Sequence, residues 1–147
     1  MNARTHRLLR AGLAALLVAG ATLVSASVAS PAEAASSAWF SSPSRNIGCY
    51  MTTTWVRCDV ISRTWVPTRK PASCDFAWGP AVEVGLTGKG HFGCVSDTVG
   101  GSTRILRYGK SITTGAFRCT SRSTDMTCTN TANGHGFRVS RAAYRFF

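Results

Sequence analysis

The chain has 147 residues, with 17 Lys+Arg, 6 Asp+Glu and 6 Cys. That length allows one small domain. With 44% hydrophobic residues, these counts exclude a multidomain enzyme, a disordered tail and a polytopic membrane protein.

The first element is a leader. Arg4, Arg7 and Arg10 give a positive start, and no further charge follows until Glu33. Between them Ala11–Val24 is an apolar run, shorter than the roughly 18 residues of a membrane anchor. Small residues come next. Ala32-Glu33-Ala34 fits a small-x-small cleavage pattern, with Ser27-Val28-Ala29 as a second candidate. This predicts a signal peptide over residues 1–34, a single secreted domain over 35–147, and no membrane span once the leader is removed. No Cys lies near the cleavage site, so a lipid anchor is not expected. The remaining chain carries 14 Lys+Arg against 5 Asp+Glu, a net charge of +9.

All six cysteines lie in that part, and an even count in a small exported domain reads as a disulfide framework. Eight residues separate Cys49 from Cys58, and eight separate Cys119 from Cys128. Setting Cys49 opposite Cys58 in a hairpin puts Ile47 against Val60 and Met51 against Val56 on the cysteine face. Tyr50, Arg57, Gly48 and Asp59 then fall on the other face. One register separates apolar from mixed-polar positions on both strands, as a half-buried hairpin requires. The second pair puts Phe117 with the cysteines, Met126 opposite Ser121, and Arg118, Thr120, Thr127 and Thr129 outside. The predicted bridges are Cys49–Cys58 and Cys119–Cys128, which leaves Cys74–Cys94. With the cysteines spent this way, no C-x-x-C and only His91 and His135 left, no metal site is expected.

The first hairpin thus covers Ile47–Thr52 and Trp55–Ile61. A loop with Pro67, Pro71 and Pro80 follows. Val82, Val84 and Leu86 alternate with Ala81, Glu83 and Gly85, and Thr87–Gly90 turns the chain into His91–Val95. A two-residue turn would face His91 inward. A three-residue loop ending in Gly90 would pair Phe92 with Leu86 and Cys94 with Val84, and face His91 outward; it is preferred because it buries Phe92 and the disulfide together. Arg104–Tyr108, Ala116–Ser121, Met126–Asn130 and Gly136–Ser140 read as further strands, with Asn133-Gly134 a tight-turn signal. Ser140–Phe147 reads as a short helix. The whole predicts an all-β fold, a compact disulfide-stapled sandwich or small barrel of short antiparallel strands with a short C-terminal helix. The two C-x8-C hairpins share a faint echo, for which duplication is one reading and the generic look of a disulfide-closed hairpin the plainer one.

Asn46-Ile-Gly-Cys49, Arg57-Cys-Asp59, Tyr108-Gly109, Thr127-Cys-Thr-Asn130 and Gly134-His-Gly-Phe137 together resemble the signature of a family of small exported six-cysteine proteins of actinomycete-type bacteria. That family is catalogued as a domain of unknown function. The resemblance spans about Phe40 to Phe147. It implies a secreted, disulfide-bonded domain and brings no activity, cofactor or catalytic residue.

No motif for a serine or metal hydrolase, a nucleotide-binding loop or nucleic-acid recognition is present, and no cofactor is expected. His135, between two glycines, is a candidate functional loop residue; a turn in which only the glycines matter is the plainer reading. If His91 and His135 converged beside Lys89 or Arg138, they would form an acid–base pair for phosphodiester chemistry, a nuclease-like hydrolase. Asp59 reads as a cross-strand charge partner. The basic balance is the strongest clue. Arg104, Arg107, Lys110, Arg118 and Arg122, with Arg138, Arg141 and Arg145 and with Tyr108, Tyr144 and His135 as contacts, would bind anions; a soluble surface whose arginine excess reflects coding bias is the equal alternative. The expectation is a monomeric, non-enzymatic domain binding an anionic surface polymer or an extracellular protein. A third possibility is a protease inhibitor exposing Thr64–Ser73 beside a disulfide.

Overall fold

The computed structural model describes residues 35–147, so the expected leader lies outside the described residues. Ten strands follow one another: β1 Ser37–Ser41, β2 Ile47–Thr52, β3 Trp55–Val60, β4 Ala77–Gly85, β5 His91–Val95, β6 Ser111–Thr114, β7 Phe117–Ser121, β8 Met126–Asn130, β9 Gly136–Val139 and β10 Tyr144–Phe146. They form two five-stranded antiparallel sheets, β1 to β5 and β6 to β10, each with its strands in chain order. Apolar residues from both sheets make one shared core, so the architecture is a sandwich.

The three disulfides are Cys49–Cys58, Cys74–Cys94 and Cys119–Cys128. The first hairpin has the expected register, with Ile47 opposite Val60 and Met51 opposite Val56. In the second, Ser121 faces Met126.

The two sheets match row by row. In the first, Phe40, Cys49, Cys58, Val82 and Phe92 form a continuous cross-strand row on the inner face. In the second, Ile112, Cys119, Cys128, Phe137 and Phe146 occupy the corresponding places. Each sheet is thus a meander pinned by a disulfide between its second and third strands. The echo in the sequence covers five strands on each side, not the cysteine hairpins alone.

Three expectations are corrected. The C-terminal segment is strand β10, not a helix. Tyr144 and Phe146 alternate with Arg145, and both rings pack on Phe92, with centroids at 4.8 and 4.9 Å. A period of two with aromatic partners outweighs the helix propensity of Arg and Ala. Residues 104–108 form no strand. Their segment meets β1 only at one parallel bridge, Ser41 to Ile105, where it covers the sheet edge. The second hairpin has a longer loop than expected. Phe92 pairs with Val82, and Cys94 with Trp78, across a register shift between Trp78 and Val82. Gly79, at φ 91°, and Pro80, which has no N–H to donate, lie within that shift. Phe92 is still buried and His91 still faces outward, but Cys94 is exposed, so the bridge is not buried together with Phe92 as expected.

Candidate functional site

The matching rows extend to the outer faces, where they carry different chemistry. On the first sheet the central outer row is Trp39, Tyr50, Arg57, Glu83 and His91. On the second it is Ser111, Thr120, Thr127, Arg138 and Arg145. Position by position, a row of two aromatics, an arginine, a glutamate and a histidine becomes a row of hydroxyls and guanidiniums. The overall charge divides the same way. Residues 98–147 hold eight Lys+Arg against one acid, and residues 35–97 hold six against four.

On the first sheet Arg57 and Asp59 are buried, at 6% and 5% exposure. Arg57 Nε donates to Asp59 Oδ1 at 2.8 Å and Nη2 to Asp59 Oδ2 at 3.0 Å. Nη1 donates to Asp97 Oδ1 at 2.7 Å, and Nη2 to the Asp97 carbonyl at 2.6 Å. The Val99 N–H completes Asp59 at 2.9 Å. Burial alone would lower the Arg57 pKa, but the bonds from both carboxylates outweigh it and raise it. Asp97, bound by Arg57, is held below the usual carboxylate range. This closed cluster ties residues 97–99 down onto the sheet. Small residues make the room: a Cβ on Gly48 would come within 2.6 Å of the Gly100 backbone.

Beside it, Glu83 Oε2 lies 3.8 Å from His91 Nε2. Burial raises the Glu83 pKa, partly offset by the positive charge of His91 and Arg57. Trp55, Arg57, Glu83, Ser96 and Asp97 line a shallow groove of about 410 Å³.

The structure does not join His91 to His135. Their loops do meet, with the Gly90 backbone packed against Gly136. The His91 ring nevertheless points to Glu83 on the outer face, and the His135 ring makes no hydrogen bond among the described residues. The acid–base pairing open to His91 is therefore with Glu83. The sulfurs of Cys49, Cys58 and Cys128 converge within 4.8 Å, but disulfides consume all three and leave no thiolate for a metal.

On the second sheet, β7, β9 and β10 place Arg118, Arg138 and Arg145 on one exposed face among Ser111, Thr113, Thr120, Thr127 and Thr129. Arg122, in the β7–β8 turn, joins this face through Thr127 Oγ1 at 3.1 Å. The one acid here is Asp125. It accepts from Thr124 and Thr127, each at 2.7 Å, and faces Arg122 at 3.5 Å and Arg138 at 3.7 Å. Desolvation would raise its pKa, but those hydroxyls and the two guanidiniums lower it.

The expected cationic set is thus divided. Arg118, Arg122 and Arg138 share the face, together with Arg145. Arg104, Arg107 and Lys110 are exposed on the segment between the sheets. Tyr108 reaches a groove of about 470 Å³ at one end of the sandwich, where Arg122 and Arg141 meet Ser42, Ser44 and Asn46. His135 lies in the β8–β9 turn, at the other end of β8 from Arg122. Tyr144 packs its ring on Phe92 and Trp65 and is only partly exposed. Sequence reasoning missed this cluster, in which Arg57 and Asp59 are buried and Asp97 caps them from the exposed side, because Asp97 belongs to a loop whose path the strand pattern does not specify.

Fold and site together define a disulfide-pinned β-sandwich of two meanders with a closed acidic cluster on one outer face and an open basic face on the other. The chain belongs to the family of unknown function DUF6636, whose pattern matches residues 21–147. No curated protein and no solved structure matches it. The three disulfides point to an oxidising environment.

Proposed function

We propose that the protein is an exported, non-enzymatic binding domain that holds an anionic extracellular polymer across the outer face of β6 to β10. The observation that carries this reading is the register that sets Arg118, Arg138 and Arg145 on one exposed face among serine and threonine hydroxyls. Neighbouring strands run about 4.8 Å apart, so the face offers donors at a regular spacing. Guanidiniums bind carboxylate, sulfate or phosphate through paired N–H groups, and hydroxyls add weaker bonds. The one acid nearby, Asp125, is already occupied by its own threonines and arginines. The groove at Tyr108, Arg122 and Arg141 continues the basic surface around the end of the sandwich.

The test is retention on heparin and on phosphocellulose at low salt. The reading predicts retention that weakens steadily with ionic strength, because exposed charges are screened beyond a Debye length of about 8 Å near physiological salt. Flow-through at low salt, or retention indifferent to salt, counts against it. Single-stranded and duplex DNA run beside them show whether the face takes any polyanion or prefers a carbohydrate backbone.

A further inference from the structure

The connection from β3 to β4 lies outside both sheets, and it is held from below at several points. The Trp65 indole N–H donates to the Ser140 carbonyl at 2.8 Å, and its ring stacks on Phe92 with centroids 5.8 Å apart. Pro67 rests on Gly79, where a Cβ would come within 2.5 Å of the proline ring. The Trp78 indole N–H donates to the Thr68 carbonyl at 2.8 Å. The Cys74 N–H donates to the Pro71 carbonyl at 3.1 Å, and Cys74 is bonded to Cys94 on β5.

Between these anchors the side chains point out. Val66 is 80% exposed, and Thr68, Arg69 and Lys70 are exposed. Among the described residues neither Arg69 nor Lys70 has a carboxylate partner. Pro67 and Pro71 fix their own φ and bias Val66 and Lys70 towards extended backbone. The segment Val66-Pro67-Thr68-Arg69-Lys70-Pro71 is therefore a pre-ordered strand-like strap with an unpaired guanidinium near its middle. Little conformational entropy remains to be lost when a partner binds it.

We infer that this strap occupies the substrate cleft of a trypsin-type serine protease, with Arg69 in the primary specificity pocket. Such a cleft binds extended backbone and carries a buried carboxylate at the base of that pocket. Arg69 satisfies the carboxylate. The Thr68 carbonyl is held from behind by Trp78, so the residue before Arg69 is fixed in place. The Cys74–Cys94 bridge and Pro71 hold the other side. Pro71 has no N–H to offer the enzyme two residues beyond Arg69, which sets the expected affinity at about micromolar, below that of the tightest inhibitors. The strap is separate from the basic face of β6 to β10, so this inference stands or falls independently of polymer binding.

The experiment measures hydrolysis of a small chromogenic arginine substrate by trypsin in the presence of the purified, disulfide-bonded protein. Competitive inhibition is expected. Arg69→Ala should weaken it at least about 30-fold, the loss typical of a central anchor residue. Lys70→Ala should change it less than about threefold, as for a peripheral contact. Arg69→Phe should transfer inhibition to chymotrypsin, whose pocket is apolar; a merely structural role for Arg69 would not produce that switch. Absence of inhibition at about 100 µM, a hundredfold above the expected constant, would overturn the inference. Inhibition that survives Arg69→Ala, or cleavage after Arg69 with no slowing of the reporter, would do the same.

Discussion

The Sγ atoms of Cys58 and Cys128 lie 3.8 Å apart although they belong to different disulfides and different sheets. Two covalent crosslinks therefore meet at the centre of the sandwich, where apolar side chains would otherwise have to fill the space. Each bridge closes a ten-residue loop, for which chain entropy gives about 2.7 kcal/mol. Cys119→Ala/Cys128→Ala should cost at least about that much in urea unfolding, since it also leaves a gap beside Cys58. Removing both hairpin bridges should depart from the sum of the two pairwise losses, because the sulfurs touch. Strict additivity would show that the contact carries no energy.

Gly136 opens β9 against the carbonyl of Cys128, and a Cβ there would overlap that oxygen. Backbone cannot retreat cheaply from backbone, so Gly136→Ala should lose more than about 2 kcal/mol. Gly85→Ala is the control, because its Cβ would have no neighbour nearer than 3.9 Å. It should stay within about 1 kcal/mol of the parent, as surface changes usually do. Thermal unfolding of the two variants checks the contrast.

Arg57 and Asp59 form a buried ion pair with side-chain exposure of 7% each. Arg57→Met strands the Asp59 carboxylate and should cost roughly 3–5 kcal/mol. Arg57→Met/Asp59→Leu should recover much of that loss, because the isolated charge is gone. A double variant no more stable than Arg57→Met would mean that the arginine acts through packing and through Asp97.

Glu83 gives a pH signature. Burial raises its folded-state pKa, so the folded chain binds that proton more tightly than the unfolded chain. Its contribution is fully present below the unfolded carboxyl value, about 4.3. It is lost as pH rises through the raised folded value. Glu83→Gln should therefore leave Tm unchanged near pH 4 and raise it relative to the parent towards pH 7. Asp97 and Asp125 act in the opposite sense: both are held below the usual range, so their support is present above the ordinary carboxyl value and lost as pH falls through the folded one. The difference between parent and variant isolates Glu83. A gain that is largest at low pH would contradict the assignment.

Much of the fold was legible because cysteine spacing and a period of two agree. Cys49 and Cys58 could face each other in only one register that also buried Ile47, Met51, Val56 and Val60. The same constraint aligned Cys119 with Cys128. Strands β1 and β6 were missed. Ser37–Ser41 and Ser111–Thr114 are short and serine- or threonine-rich, and each becomes a strand by pairing with a cysteine hairpin already in place. Tyr144–Phe146 failed differently, since its partner Phe92 lies over fifty positions earlier. Of the candidate site, Arg118 and Arg138 could be placed outward from their own hairpins. Their separation from Arg104 and Arg107 depended on the path of the segment between the sheets, which no local pattern specifies.

The central claim is that the second sheet's outer face, and not total charge, binds polyanions. The direct measurement compares the salt needed to elute two variants from heparin. One carries Arg118→Gln, Arg138→Gln and Arg145→Gln. The other carries Arg69→Gln, Lys70→Gln and Lys89→Gln, three exposed cations outside that sheet. Both lose the same charge. The account predicts that the first elutes at markedly lower salt than the parent while the second elutes close to it. Equal displacement of the two, or a larger effect from the second, would contradict it.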